Sequence, residues 1–300
     1  DFMVYQGNSF EVITYPMVGE KLLEKSSLNS SNDLKILNPI SSDADRMRDS
    51  LVPSMLATAA LNAKHQNSFR LFELGRTYHK SSGGKGKKGN SFCEEHSELA
   101  IMFYHNSDSP FMDLVNTVES MMRSLSLPAD MMEHNEKIRN TLVPSDWRGL
   151  HPFELYHLRV MGKVKGFITS VHPQMLRAFK LKGHLALAII DLTDVERIEL
   201  KDKTKYHPLP KYQSATFDWT VMVDNNHPVA QVLRAVKKAN IKEMVDLKVL
   251  DVYQISDQER AVTLHAKFMD KNQTLKGDFI ADAERRLVEI SASAGYPLKS

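Results

Sequence analysis

The stretch TFDWTVMVD, residues 216–224, places an apolar side chain at every second position from Phe217 onward. Successive side chains of a β-strand point to opposite faces, so this spacing predicts a strand with one face in a core and the other free. The residues predicted on the core face are Phe217, Trp219, Val221 and Val223. Asp218 and Thr220 then lie on the free face.

Outward from this strand, helical and strand patterns follow in a definite order. They predict a helix at 229–239, strands at 246–255 and 261–269, a helix at 275–294 stopped by Gly295, and a short strand at 296–299. The order is therefore βαββαβ, in which two helices cover one face of a four-stranded antiparallel sheet. This ferredoxin-like arrangement leaves the other face open, and the fold by itself fixes no function.

The residues before position 200 predict a separate α+β region. The patterns indicate strands at 11–15, 69–79, 99–104 and 185–191, a hairpin at 155–171, and helices at 53–66 and 112–125. Strands in consecutive hairpins favour an antiparallel sheet with flanking helices over a doubly wound parallel sheet. A polar segment with two prolines at 201–211 is typical of a linker, so we place the domains at 1–205 and 206–300.

The segment SSGGKGKKGN at 81–90 has no apolar side chain to bury. It predicts a mobile hairpin tip, because such a segment gains nothing that offsets the entropy of ordering. It lacks the spacing of a phosphate-binding GxxxxGK loop. A basic loop that touches RNA stays open as the alternative.

Composition limits the class of protein. Hydrophobic residues make up 42% of the 300 and charged residues 25%, which lets each region bury a core, and no apolar run approaches the ~20 residues of a membrane span. The chain opens on Asp1 without a secretory leader, and we interpret it as part of something longer. Cys93 is the only cysteine, which excludes an internal disulfide or a cysteine zinc site and suits the cytoplasm.

Charge and motifs exclude several chemistries. The net charge is only +2, and residues 206–300 carry 13 Lys and Arg against 12 Asp and Glu, without the basic excess typical of nucleic-acid binders. Twelve histidines are present, but no HExxH or GxSxG motif occurs, so we expect no metal site and no catalytic residue.

Three longer segments carry a more specific signal. They are LKILNPIS at 34–41, RMRDSLVPSML at 46–56 and FRLFELGRTY at 69–78. In sequence and separation they resemble the β chains of bacterial-type phenylalanyl-tRNA synthetases. Shorter matches in the family's order are 11–15, 113–115, 171–173, Asp218, 250–253, 274–275 and 298–299.

The resemblance implies a class II synthetase fold for residues 1–205 and a ferredoxin-fold anticodon-binding domain for 206–300. It also implies an α-subunit partner, in an α2β2 enzyme, that carries out ATP- and Mg²⁺-dependent aminoacylation of tRNA. It implies a cytoplasmic protein with no membrane or DNA partner. We further expect an unfinished apolar surface on the helices at 53–66 and 112–125, where that partner would pack.

Departures from the family pattern argue that this chain is catalytically silent and holds no cofactor itself. In the catalytic relative, a guanidinium after the Gly-Arg-x-Tyr pattern binds the α-phosphate of ATP. Here His79 takes that position, Ser81 takes the nearby acidic one, and 185–197 has none of the third motif's glycines. In the second domain, Phe217 and Lys299 replace arginines of the family, which softens phosphate contact.

The candidate RNA-binding residues follow from alternation and resemblance together. Alternation turns a polar set away from the helices: Asp218, Thr220, Thr263, His265 and Lys267. The resemblance adds Asp251, Tyr253 and Lys299, and Lys211 and Tyr212 lie at the edge beside the linker. Two other functions stay open: a stand-alone ferredoxin-like interaction or regulatory module without an RNA role, and an independent ATP-dependent enzyme.

Overall fold

A computed structural model describes residues 1–28, 34–80, 93–134, 138, 142–195, 210–225, 227 and 229–299. These residues belong to two compact units, Asp1–Lys203 and Thr204–Ser300, called the first and the second unit below. The glycine loop at 81–90, the residues at 196–197 and most of the predicted linker lie outside the described residues. No helix in the described ranges is long and apolar enough to cross a bilayer.

The first unit is built on a large, mostly antiparallel sheet. Its strands are β1 (Phe10–Glu11), β5 (Ser68–Lys80), β6 (Cys93–His105), β7 (Ala129–Glu133), β8 (Leu150–Val160), β9 (Lys163–Val171) and β10 (His184–Asp191). Their order is β1-β5-β6-β10-β9-β8-β7, and only β1 pairs in parallel. A small separate sheet is formed by β2 (Met17–Val18), β3 (Leu34–Lys35) and β4 (Arg46–Met47).

Helices cover both faces of the large sheet. They are α1 (Phe2–Tyr5), α2 (Glu20–Ser26), α3 (Val52–Asn62), α4 (Phe111–Ser124) and α5 (Pro173–Ala178), with a 3₁₀ turn at Ser42–Ala44. One apolar core joins α3 and α5 to the side of the sheet that carries Met102, and a second joins α4 to the side that carries Ile101. Neighbouring residues of β6 thus enter opposite cores, as the pleat requires.

The prediction that α3 and α4 carry an exposed apolar surface is wrong. The apolar side chains of α3 and α4 are buried in the two cores, and the exposed large ones on these helices are the single residues Leu61 and Met112. Large apolar side chains are exposed elsewhere in the first unit, and four that are more than two thirds exposed lie within its first fifteen residues. They are Tyr5, Phe10, Ile13 and Tyr15.

The predicted strand at 11–15 is also shorter than expected. Ladder pairing stops at Glu11, and Thr14 then directs its backbone N–H and its hydroxyl to the carboxylate of Glu73, at 3.2 and 2.7 Å. A side chain therefore takes the place of the neighbouring backbone as the hydrogen-bond partner.

The second unit has the predicted ferredoxin-like topology up to its last strand. Its elements are β11 (Ala215–Asp224), α6 (Val229–Lys238), β12 (Met244–Gln254), β13 (Glu259–Phe268) and α7 (Gly277–Ser293). The sheet order is β11-β13-β12, with both pairs antiparallel. Trp219, Val221, Leu264 and Phe268 are buried against the helices, and Leu287 of α7 closes this core.

The last strand, predicted at 296–299, is reduced to a single bridge between Val221 and Leu298. Gly295 ends α7 in the left-handed region at φ 91°, where a side chain would be strained. Pro297 accepts a hydrogen bond from Met222 at 2.8 Å but has no N–H to return one. Proline therefore limits the pairing, although Lys299 still donates to the Thr220 carbonyl at 2.9 Å.

Candidate functional site

The open face of the second unit consists of four rows of side chains, three of them polar, that run across its three strands. The register of β11, β13 and β12 aligns the side chains as Thr216–Lys267–Asp246, Asp218–His265–Lys248, Thr220–Thr263–Asp251 and Met222–Ala261–Tyr253. Six residues of strand separate the first row from the last, a length of about 20 Å. Seven of the ten predicted site residues, Tyr253 among them, lie in these rows. Lys299 joins them from the C-terminal bridge.

Two of the rows are tied together internally. The carboxylate of Asp218 lies 2.5 Å from Nδ1 of His265, and the hydroxyls of Thr220 and Thr263 are 3.0 Å apart. The imidazole that was predicted to face RNA is therefore already held by a carboxylate on the same face. Its Nδ1 is occupied, so only the far side of the ring is available to a ligand.

Tyr253 and Lys299 meet over the last row. The Tyr253 ring is 64% exposed, and the Lys299 ammonium lies 5.8 Å from its centroid. A cation within about 6 Å of an aromatic ring is attracted by its quadrupole. An exposed ring with an ammonium beside it offers a stacking surface for a base and a positive charge for its phosphate.

Lys211 and Tyr212 are exposed and precede β11 at the end of the sheet that carries Lys267. No hydrogen bond or ion pair joins either of them to the described rows. Lys248 lies in the row of His265, although alternation did not place it among the candidate residues. Two irregularities of β12, between Met244 and Asp246 and between Val249 and Asp251, break the period of two that would have placed it.

The first unit has its own polar region, on the side of the sheet next to α3. Thr77 donates to Glu98 at 3.1 Å and lies 3.3 Å from Nε2 of His79, whose ring is 4.5 Å from that of His96. Burial, helped by the charge of His96, lowers the pKa of His79. Burial raises the pKa of Glu98 to about 8. Both side chains are thus neutral at pH 7.

A cation on the same side of the sheet, Lys165, is already occupied. Lys165 forms ion pairs of 2.8 Å with both Asp191 and Asp194. Burial alone would lower the pKa of Lys165, but these two carboxylates raise it. A neutral imidazole and a paired ammonium cannot neutralise a triphosphate. These residues therefore do not fit ATP and Mg²⁺, and within the described ranges no three His, Cys, Asp or Glu residues could hold a metal ion.

A buried ion pair joins two of the segments that carry the resemblance, 46–56 and 69–78. The guanidinium of Arg48 lies 2.8 Å from the carboxylate of Glu73, and both side chains are nearly inaccessible. Arg48 also donates to the hydroxyl of Thr14 at 2.7 Å and to the carbonyl of Arg76 at 2.9 Å. A Cβ at Gly75 would come within 2.5 Å of this guanidinium, so the glycine makes room for it. These residues connect segments rather than bind a ligand.

Comparisons with known proteins divide the chain in the same way. Residues 1–192 match the family described as phenylalanyl tRNA synthetase beta chain CLM domain, and residues 210–295 match the ferredoxin-fold anticodon binding domain.

Similar curated proteins are phenylalanine–tRNA ligase beta subunits. The one of Listeria innocua is 22% identical over 93% of this chain and 34% of its own length. The one of Clostridium acetobutylicum is 25% identical over 96% and 35%, and the one of Francisella tularensis is 26% identical over 93% and 34%. The chain thus spans about a third of the length of the curated relatives it matches.

Proposed function

Because this chain belongs to the phenylalanyl-tRNA synthetase β-chain family, we propose that it forms part of the β subunit of a phenylalanine–tRNA ligase and that its second unit binds tRNA. In this proposal an α subunit carries out the chemistry with ATP and Mg²⁺, within a cytoplasmic α2β2 enzyme. The first unit acts as a non-catalytic scaffold, since the residues of its polar region do not fit a nucleotide.

The open face of the second unit is the observation that supports the RNA role. Its rows combine hydroxyls, three lysines and an exposed tyrosine along about 20 Å. Lys248, Lys267 and Lys299 face Asp218, Asp246 and Asp251, so recognition here depends on the placement of groups rather than on excess charge. Stacking and hydrogen bonding to unpaired bases suit such a face better than general attraction to phosphates.

The exposed apolar side chains near the start of the chain support contact with another protein surface. Tyr5, Phe10, Ile13 and Tyr15 are each more than two thirds exposed. Large apolar side chains exposed to this degree favour an interface, because water-exposed aromatic and branched side chains gain most from being covered. We assign these side chains to contact with the α subunit, and an α subunit that co-purifies with wild type but not with Ile13→Asp is the expected result.

The RNA role is tested on the assembled enzyme, with labelled phenylalanine tRNA followed by anisotropy over 50–200 mM KCl. We expect Tyr253→Ala with Lys267→Ala to weaken binding, because a stacked base contributes about 1–3 kcal/mol. Loss of one phosphate contact should also reduce the salt slope by about one. Lys237→Ala, on the last turn of α6, removes a charge from the helix side and is the control. Unchanged affinity and slope in the double variant would rule out this face.

A further inference from the structure

The first unit has a groove at the end of its sheet where β5 begins. This is the opposite end of β5 from His79. It encloses about 760 Å³ and is lined by the end of α3, the turn after β6 and the segment that follows α5. We call it the lysine groove, after Lys25, Lys64, Lys180 and Lys182. It belongs neither to the polar region next to α3 nor to the open face of the second unit.

The charge of the lysine groove is one-sided. Its lining contains four lysines and no aspartate or glutamate. All four side chains are exposed, and none forms an ion pair within the described ranges. Lys165 of the same unit, by contrast, is bound by two carboxylates. Four ammonium groups without a carboxylate partner around one depression repel each other, and an anion placed among them removes that repulsion.

The backbone that carries these lysines is fixed. Lys180 adopts the left-handed conformation at φ 58°, and Leu181 donates to the Leu176 carbonyl at 2.9 Å, which closes the end of α5. Gly183 donates to the Tyr104 hydroxyl at 3.2 Å, and a Cβ there would meet the His105 carbonyl at 2.4 Å. Across the groove, the Lys25 ammonium lies 4.4 Å from the Phe179 ring.

We propose that the lysine groove binds the sugar–phosphate backbone of RNA, as a second contact that rests on the proposed tRNA role of this chain. Between the lysines the lining consists of the small side chains of Ala57, Ala60 and Ala63, the buried rings of Tyr104 and Phe179, and the single exposed Leu61. A docking protein helix needs pockets for large anchors, whereas a phosphate backbone needs close approach and cations. Asn67 and Asn106 add amide donors.

The open face of the second unit is nearly neutral, so the salt-dependent part of RNA binding needs cations elsewhere in the chain. Association with RNA releases counterions only where cations meet phosphates. The open face carries as many carboxylates as lysines, so it contributes little of this effect. In the lysine groove, by contrast, four cations gather without a carboxylate in the lining. We assign the salt-dependent part of the affinity to the lysine groove, and we assign the recognition of bases to the open face.

The experiment compares the assembled wild-type enzyme with a triple variant, Lys64→Gln, Lys180→Gln and Lys182→Gln. The probe is labelled phenylalanine tRNA, titrated over 50–300 mM KCl. We expect the triple variant to bind about tenfold or more weakly at low salt. Its slope of log K against log salt should be smaller by about two to three, since each lost phosphate contact changes the slope by about 0.7–0.9.

A matched control removes three exposed lysines of the same unit outside the groove: Lys21, Lys35 and Lys163, each changed to Gln. It should keep most of the wild-type slope. A triple variant equal to this control overturns the proposal. If Tyr253→Ala with Lys267→Ala still weakens binding in that case, the tRNA role stands and only the groove assignment falls. If no variant changes the affinity, both fall.

An acidic protein partner is the other possible occupant, and poly-L-glutamate is the probe for it. We expect poly-L-glutamate to compete poorly with tRNA at equal charge concentration, because its charges lie on flexible stems. If the triple variant loses poly-L-glutamate but keeps tRNA affinity, the groove serves an acidic polypeptide and the RNA assignment is wrong.

Discussion

Glu98 shows how the environment of one residue sets its chemistry. Its carboxyl is 2% exposed, and one of its oxygens has no hydrogen-bond partner within the described part of the chain. Burial raises its pKa to about 8, and the charge of Asp191 adds to the increase. A neutral acid costs much less to bury than a carboxylate. The folded protein therefore holds a proton that the unfolded chain releases above about pH 4.5.

This proton makes stability depend on pH in a defined direction. Since the folded pKa is the higher one, the free energy of unfolding should fall as the pH rises from about 4.5 to about 8. The slope is at most about 1.4 kcal/mol per pH unit. Glu98→Gln keeps the shape without the titration, so its stability relative to wild type should increase over this range. Urea unfolding followed by circular dichroism from pH 5 to 9 measures it, and a constant offset contradicts it.

The Arg48–Glu73 pair gives a prediction of opposite character, because here both charges are present and paired. Glu73→Gln leaves the Arg48 guanidinium buried without its counterion, and we expect a loss of about 3–5 kcal/mol. The combined change Arg48→Met with Glu73→Leu removes both charges and should cost less than Glu73→Gln alone. Urea unfolding of the three proteins checks the order. A double variant less stable than the single one would show that the pair is net stabilising.

The sequence could place single residues only where one regular period governed them. Alternation correctly assigned Trp219 and Leu264 to the core and Asp218 and Thr263 to the open face. It could not show that His265 is held by Asp218, because that pairing depends on which residues of two strands lie opposite each other. Nor could it assign a buried role to Arg48 and Glu73, since charged residues are usually exposed.

At the scale of elements, the long and strongly patterned strands were predicted well and the ends were not. The predicted strand at 69–79 is Ser68–Lys80, and the one at 216–224 is Ala215–Asp224. The predicted strand at 99–104 is the inner part of a longer one, Cys93–His105. Its extra residues are paired with β5 but polar, so they carry no hydrophobic signal.

The reduced last strand is the clearest failure at this scale. The strand at 296–299 was predicted because it completes the βαββαβ order, but Pro297 within it cannot donate to a ladder. The irregularities of β12 had a similar effect on the site, because a shift of one residue exchanges the two faces of a strand. Patterns of apolar residues contain no information on such shifts, which arise from pairing with the neighbouring strand.

At the scale of the whole molecule, catalytic silence is the central prediction. We expect this chain to give no phenylalanine-dependent exchange between pyrophosphate and ATP, because His79 is neutral and Lys165 is paired with two carboxylates. His79→Arg tests the reason: if the other residues are also unsuited to ATP, this change alone should restore no exchange. Exchange above background with the purified chain would contradict the scaffold role.

The two tryptophans of the chain have a practical consequence. Trp147 is buried in the first unit and donates to the Ser26 carbonyl at 2.7 Å, and Trp219 is buried in the second and donates to Ser291 at 3.1 Å. Each unit therefore contains one tryptophan, shielded from water. In Trp147→Phe the emission should shift to the red only when the second unit opens, and in Trp219→Phe only when the first does. The tryptophan emission of these two variants thus reports the melting of each half separately, without an attached label.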